Sequence, residues 1–407
     1  MPWIVSVTLT LAIPLIAVYT YIARKFYSIL VLQSGVTRAR ALRLILAPIF
    51  LLNLFPIVLL VSFLVAGRSA SVLYSGEHFI FDLFLVYPFW FGVVISIEIA
   101  LLMLIGDLLK LILLPIYRVH RARWRKLETR GIIIAAFLVT VYCIVVITLN
   151  TWTVRISTHD IPLPETARSL DGLRIALIAD VQGDWRTTPS RIAAFVEKIN
   201  QQEPDLALFA GDLISSGSHH IISTAKLLSA IKAPIGRIAA IGDHDIFSNK
   251  KFVREQLVDA GFTVIEDSSV VLKSRDAIIT LTVLTHTYRQ KTPAPRLEAI
   301  KQEAENTYRI LLVHQPANSL LEFAANAEYN LFLAGHTHGG GIAIGIPGIM
   351  LLAPAHFESR FVSGMHDLER MHVVVTNGLG FTLAPIRFHA PAEITLLRLK
   401  ASEPSVQ

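Results

Sequence analysis

Five apolar runs in this 407-residue chain end in side chains able to bind a metal ion. IALIADVQ supplies Asp180 and Gln182, LALFAGD supplies Asp212, and IAAIGDHD supplies Asp243, His244 and Asp245. RILLVH supplies His314, and NLFLAGHTHGG supplies His336 and His338. A single GD or GH is more often a turn, and a lone histidine more often a satisfied core or surface residue. Five such endings point instead to one shared site, because loops at the carboxyl ends of strands converge in α/β folds. The residue types fit a pair of divalent ions: carboxylates can bridge two cations, and a His-x-His pair can send one ring to each. Two ions roughly 3.5–4 Å apart can clamp a phosphate and supply a metal-activated hydroxide for in-line attack on phosphorus. Gly339, Gly340 and Gly341 would keep bulk away from such a centre.

The ordered set D-x-Q, GD, GDHD, H and GHTHGG resembles the calcineurin-like metallophosphoesterases, whose usual pattern is D-x-H, GD, GNH[DE], H and GHxH. The likeness covers about residues 173–399, and NGLGFTLAPIRFHAPAEITLLRL, Asn377 to Leu399, is similar to the membrane-associated, YkuE-like branch of that family. The resemblance implies an α/β four-layer sandwich, two central sheets flanked by helices, with two divalent metal ions. It implies Asp180, Gln182, Asp212 and His338 around the first metal, and Asp212 as bridge with Asp243, His314 and His336 around the second. His244 matches the histidine that stabilises the transition state or protonates the leaving oxygen, oriented by Asp245. Arg387, in PIRF, is either a substrate contact or a structural ion pair.

Two positions depart from that pattern. Gln182 stands where histidine is usual, and its neutral carbonyl oxygen is harder and weaker than imidazole, which favours Mn²⁺ or Mg²⁺ over Zn²⁺ or Fe. Asp243 stands where asparagine is usual, raising cation affinity while weakening the ions' pull on substrate charge. Asp184 is either a further ligand or a solvated turn residue, and the turn is the simpler reading.

The elements that must position these residues alternate in type. Compact apolar runs alternate with amphipathic stretches at 189–200, 223–231 and 250–260, and further runs follow to residue 399, as in an α/β domain with buried sheets. The expected organisation is a membrane domain over 1–150, a polar connector over 151–170 containing Pro162 and Pro164, the metallophosphoesterase domain over 171–400, and a loose tail over 401–407.

With a mean hydropathy of +0.55 the chain is too apolar for an ordinary soluble protein. Residues 1–150 hold 13 Lys and Arg against 5 Asp and Glu, whereas the rest holds 24 against 26. The part carrying the motifs thus has no basic excess to neutralise nucleic-acid phosphates, and no nucleic-acid partner is expected. The single cysteine, Cys143, lies in an apolar segment, excluding an intrachain disulfide or a Cys-rich zinc site.

Four stretches, about 3–23, 41–66, 83–105 and 132–150, meet the roughly 20-residue length of a membrane helix. The first is followed, not preceded, by Arg24 and Lys25, and so reads as a retained anchor. The loops carrying Arg24, Lys25, Arg38 and Arg40, and Arg118, Arg121, Arg123, Arg125, Lys126 and Arg130, are basic. The loop between, with Arg68, Glu77 and Asp82, is not. The positive-inside rule then places both termini and the C-terminal domain on the extracytoplasmic face. Asn53 and Pro56 should kink the second span, and Glu98 should be protonated or bonded to a neighbouring helix. Asp107 and Lys110 should belong to an amphipathic extension, with Trp124 as an interfacial anchor.

These readings converge on a multi-pass cell-membrane phosphohydrolase that cleaves a phosphomonoester or pyrophosphate, on a lipid or lipid-linked substrate. The alternative is a non-catalytic metal- or phosphate-binding sensor or scaffold, against which the presence of His244 argues. A cytoplasmic domain would instead fit a UDP-diacylglucosamine-type pyrophosphatase.

Overall fold

The computed structural model describes residues 3–67, 79–114, 121–274, 277–288, 290–302, 307–346, 349–381 and 383–401. Arg68, Glu77, Arg118 and the tail from residue 402 lie outside the described residues. The chain divides into two compact units, Met1–Thr148 and Leu149–Gln407.

In the first unit three helical segments are long and apolar enough to cross a membrane: Val5–Leu32, Phe79–Ile112 and Lys126–Trp152. The remaining expected span is a pair of helices, Arg38–Leu52 and Leu54–Ala66, bent by 57°. Among the described residues the count is therefore three, or four when the bent pair is taken as one span. Asn53 makes the bend, because its Nδ2 donates to Ile49 O at 2.7 Å and ends the first helix locally. Pro56 sits in the first turn of the second helix, just after the break, where it has no N–H to continue the ladder back to Leu52, so it contributes to the bend as expected. Asp107 and Lys110 do not simply face water. Lys25 Nζ lies 2.5 Å from Asp107 Oδ1, Lys110 pairs with Glu128, and Tyr21 donates to Asp107 at 2.7 Å, which ties three helices together. Glu98 Oε1 is buried without a hydrogen-bond partner, which agrees with the protonated alternative rather than with a bond from that oxygen to a neighbouring helix.

The second unit is a sandwich of two mixed sheets. The first contains β1 (Val154–Leu163), β2 (Arg174–Ile178), β3 (Leu206–Phe209), β4 (Gly236–Ala239), β5 (Thr263–Val264) and β14 (Ala392–Ala401), in the order β1-β14-β2-β3-β4-β5. The second contains β6 (Ser268–Ser274), β7 (Ala277–Leu284), β8 (Tyr308–Val313), β9 (Leu331–Ala334), β12 (Gly364–Leu368) and β13 (Met371–Val375), in the order β12-β13-β9-β8-β7-β6. A hairpin of β10 (Ile344–Ile346) and β11 (Ile349–Leu352) stands apart.

Why the strands read as unbroken apolar runs follows from this layering. Ile175 and Leu177 of β2 pack between the two sheets with Leu281, Ile310 and Leu333. Ala176 and Ile178 face the other way, against Phe195 of helix Pro189–Asn200 and Val253 of helix Asp243–Asp259. The second sheet's outer face, with Leu311 and Phe332, is covered by Leu320 and Leu321 of helix Asn318–Asn326. With both faces of each central strand covered, neither can be polar.

The segment 151–170 departs from expectation. It is no tether: β1 runs parallel to β14 over a ten-residue register, and Ile161 and Leu163 enter the inter-sheet core. Ala167 and Leu170 of the following 3₁₀ turn are buried as well. Its polar look comes from its place at the sheet edge, where most of its side chains meet water. Ile161→Ala should therefore lower unfolding stability by about 2–5 kcal/mol in chemical denaturation of the full-length protein. A tether residue would change it by no more than about 0.5 kcal/mol.

Candidate metal centre

The predicted residues meet where the two sheets present their strand ends. Loops after β2, β3 and β4 bring Asp180, Gln182, Asp212 and Asp243, and loops after β8 and β9 bring His314, His336 and His338. Among the described residues two groups have the spacing to hold a cation, Asp243 with His314 and His336, and Asp180 with Asp212 and His314. His314 joins them: its Nε2 lies 2.9 Å from Asp243 Oδ1 and 3.4 Å from Asp212 Oδ2. Its Nδ1 faces Ala210 O at 2.7 Å and so carries the proton, which leaves Nε2 directed at the carboxylates. His336 Nδ1 lies 3.1 Å from Asp243 Oδ1, and His338 Nε2 lies 3.6 Å from Asp180 Oδ1.

The backbone holds these side chains in a conformation that costs energy. Asp180, Gln182, Asp212, His336 and His338 all have positive φ, between 50° and 71°. Each such non-glycine residue costs on the order of 1–2 kcal/mol and persists only where its surroundings enforce it. Backbone bonds do so here: Asp180 N donates to Gly211 O, Gln182 N to Asp212 O, and His336 N to Asp180 Oδ2. Close approach adds to this. A Cβ on Gly242 would lie 2.1 Å from Asp212 Oδ1, and one on Gly378 would lie 2.6 Å from Asp180 Cβ. Gly339 has positive φ and would place a Cβ 2.4 Å from Asn377 Oδ1, so this loop needs glycine for its packing.

The donor set fits a pair of divalent cations. Asp180 Oδ1 and Gln182 Oε1 are buried with no hydrogen-bond partner, although buried oxygens are nearly always satisfied. Gln182 Nε2 donates to Asp212 Oδ2 at 2.8 Å, so the amide steadies the expected bridging carboxylate and leaves its own oxygen free. Protons take up the charge balance in the metal-free cluster. Burial pushes Asp180 up to about 6. Burial opposes charge on His314 and His336, but neighbouring carboxylates outweigh it, raising His314 well above its usual value and His336 to about 9. The same histidines hold Asp243, despite its burial, far below the usual carboxylate range. His338 is the exception: burial and the Arg387 guanidinium keep it neutral.

His244 flanks the cluster at the start of helix Asp243–Asp259, its N–H donating to Asp212 Oδ1 at 3.0 Å. Its ring is not oriented by Asp245. His244 Nδ1 bonds the Ser215 carbonyl, while the Asp245 carboxylate accepts from the backbone N–H groups of Asp212, Leu213 and Gly242 at 2.8–3.0 Å. Asp245 thus welds the second and third metal-bearing loops together, and burial with the charge of Asp212 pushes it up to about 7. Asp184 is the turn residue: its Oδ1 accepts from the N–H groups of Arg186 and Thr187, and its Oδ2 from Ser215 Oγ.

Arg387 is not a substrate contact. It is 1% exposed, and its guanidinium donates to the carbonyls of Gly380, His338, Ala390 and Asn377. It is a floor beneath His338. Two residues absent from the sequence reading stand at the mouth. Tyr288 OH and Glu358 Oε2 each lie 3.2 Å from His336 Nε2, and the histidine holds Glu358 below its usual value. A carboxylate on the far nitrogen fixes the tautomer that aims Nδ1 at the cluster. Tyr288 follows the apolar strand β7, but a tyrosine there carries no metal-ligand signature, and Glu358 lies outside the apolar strand ends.

The sequence profile of the calcineurin-like phosphoesterases matches residues 173–340. The metallophosphoesterase YkuE of Bacillus subtilis (strain 168) is 30% identical over 249 residues, covering 60% of this chain and 85% of that protein. Phosphodiesterase YaeI of Escherichia coli (strain K12) is 27% identical over 231 residues, 56% of this chain and 82% of that one. A transmembrane protein with metallophosphoesterase domain from Danio rerio is 27% identical over 251 residues, 59% of this chain and 56% of its own length.

The protonation pattern carries a sign. Asp180 and Asp245 keep protons in the folded, metal-free state up to about pH 6 and 7, where the unfolded chain has released them. His336 does the same up to about pH 9. Each therefore favours folding at low pH, and that contribution disappears as the pH rises through those values. Chelator-treated protein should lose thermal stability between pH 6 and pH 9, and Mn²⁺ should raise its Tm more at pH 8 than at pH 6. A metal-induced Tm shift that is flat or reversed across this range would contradict the cluster as a cation site.

Proposed function

Because the chain belongs to the calcineurin-like metallophosphoesterases, a family of metal-dependent phosphoester hydrolases, we propose that it is a membrane-anchored two-metal phosphohydrolase. Its substrate is a lipid phosphate or a lipid-linked pyrophosphate on the extracytoplasmic face. The observation that carries this reading is the buried cluster in which Asp180 Oδ1 and Gln182 Oε1 are unpartnered and His314 faces two carboxylates. When bound, two divalent ions would neutralise phosphate charge and activate the attacking water.

The protein groups supply the rest. Asp180, Gln182, Asp212 and His338 would hold one ion, and Asp212, Asp243, His314 and His336 the other. His244 holds its Nδ1 proton against the Ser215 carbonyl, so Nε2 is available to donate to the leaving oxygen. Asp212, Asp243 and the Ser215 carbonyl outweigh its burial and raise it above its usual value, which favours the protonated ring. Gln182 supplies an oxygen where an imidazole would favour Zn²⁺, and with three carboxylates this supports Mn²⁺ or Mg²⁺. The extracytoplasmic orientation rests on the two basic loops, and the lipid substrate on a domain joined directly to a membrane-length helix.

Purified full-length protein assayed with Mn²⁺ on lipid phosphates, polyprenyl pyrophosphates and UDP-diacylglucosamine should show turnover on the first two. His244→Ala should lower kcat by about 10²–10⁴-fold, with bound metal unchanged, and Asp212→Asn should lose both metal and activity. Absence of metal-dependent turnover on every phosphoester would favour a sensor. Gln182→His should shift competitive metal loading, read by elemental analysis, from Mn²⁺ toward Zn²⁺; an unchanged preference would place Gln182 outside the coordination sphere. A cytoplasm-only reporter fused after Gln407 should be inactive.

A further inference from the structure

Apolar side chains are exposed around the mouth of the metal centre. Phe357 is 89% exposed, Leu351 69% and Leu352 50%. Phe357 immediately precedes Glu358, whose carboxylate lies 3.2 Å from His336 Nε2. Leu351 and Leu352 end β11, which leads into the turn Pro354–Phe357. That turn is fixed to the metal-bearing loop: Ala353 lies so close to Gly340 that a Cβ there would meet it at 2.4 Å, and Thr337 Oγ1 donates to Val362 O at 2.6 Å. Two further exposed aromatics touch site histidines. Phe247 packs edge-on against His244, ring centroids 6.3 Å apart, and Tyr288 against His336 at 5.4 Å. Among the described residues, Ile222, Val258, Val271 and Ile278 are exposed large apolar side chains as well.

The residues where the chain leaves its membrane-length helix are bonded to the floor of the same centre. Helix Lys126–Trp152 ends in Thr151 and Trp152, within the second unit. Thr151 Oγ1 accepts from Arg387 N at 2.9 Å, and Arg387 Nη1 donates to His338 O at 3.2 Å. Two hydrogen-bonded steps thus separate an apolar helix end from a metal-site histidine. Trp152 is exposed beside it, the residue type that settles at a bilayer interface. Arg360 is exposed three residues beyond Phe357, placing a cation where lipid phosphates would be met.

We propose that the rim formed by Leu351, Leu352 and Phe357 is a membrane-seating surface that dips into the bilayer anchoring the chain. Exposed apolar groups of this size, next to a site and a basic residue, mark an interaction surface. The occupant is the lipid bilayer, because the apolar helix that ends in this domain keeps it within reach. Seated there, the mouth receives a phosphate headgroup whose acyl chains stay in the membrane, with Phe247 and Tyr288 contacting the glycerol or isoprenoid part. This deepens, and for its substrate rests on, the lipid-phosphate reading above.

The test uses full-length protein in nanodiscs, in a Cys143→Ser background, with an environment-sensitive fluorophore at Leu351→Cys, at Phe357→Cys, and at Val258→Cys near the far end of the helix that starts at Asp243. Spin-labelled phosphatidylcholine should quench both rim labels and leave Val258 bright. The same pattern should appear with Asp212→Asn added, so that seating is read separately from turnover. Rim labels that stay unquenched overturn the proposal, even if the protein hydrolyses lipid phosphates. So does a label shielded from water but untouched by spin-labelled lipid, which would mean a second copy or another protein covers the rim. Equal quenching at all three positions overturns it too, because the contact would not be the rim's. Quenching confined to the rim without phosphatase activity would sink the enzymatic reading and leave the seating surface standing.

Discussion

Three carboxylates that must not repel one another govern this domain. Asp180, Asp212 and Asp243 are all buried, and burying even one charge is costly unless it is paired. The fold answers with two histidines that face the carboxylates, and with backbone N–H groups aimed at their oxygens. Two oxygens remain without any partner, and a divalent cation is the group that satisfies such an arrangement. Protons on His314 and His336 are the substitute that the same geometry accepts.

Holding that charge in place requires strain, and the strain explains the surroundings. Five residues of the cluster lie in the left-handed region, and Asp180, Gln182, Asp212 and His336 are each held by a bond to a neighbouring loop. Glycines at 211, 242 and 378 let those loops approach within distances that a Cβ would forbid. Asp245 closes the arrangement by binding backbone N–H groups from two loops at once. A centre built this way is preorganised, so that little reorientation remains when charge develops on a substrate.

The layers beneath serve the same end. Strands buried on both faces are stiff platforms, and their carboxyl ends carry the ligands. Arg387 shows how far the support extends: its buried guanidinium donates to four carbonyls, including that of His338, and its backbone N–H donates to the Thr151 hydroxyl at the end of the membrane-length helix. Burial pushes it down to about 9, the cost of placing a guanidinium where a positioning role is needed.

Much of this was legible in the chain itself. The nine residues Asp180, Gln182, Asp212, Asp243, His244, Asp245, His314, His336 and His338 all sit at strand ends that hydrophobic runs mark, because a strand buried on both faces has no choice but to be apolar until it emerges. The layered α/β class follows from the same runs. Sequence could not show that Ser215 rather than Asp245 holds His244, that Arg387 lies beneath the site, or that Tyr288 and Glu358 stand at its mouth. Nor could it show that 154–163 is a strand, since an edge strand with a wet face has no apolar run to betray it. These depend on which atoms of distant loops come within 3 Å, a matter of packing that spacing along the chain does not encode. Residue type set the chemistry by which charges had to be balanced; tertiary structure decided which partner balanced each one.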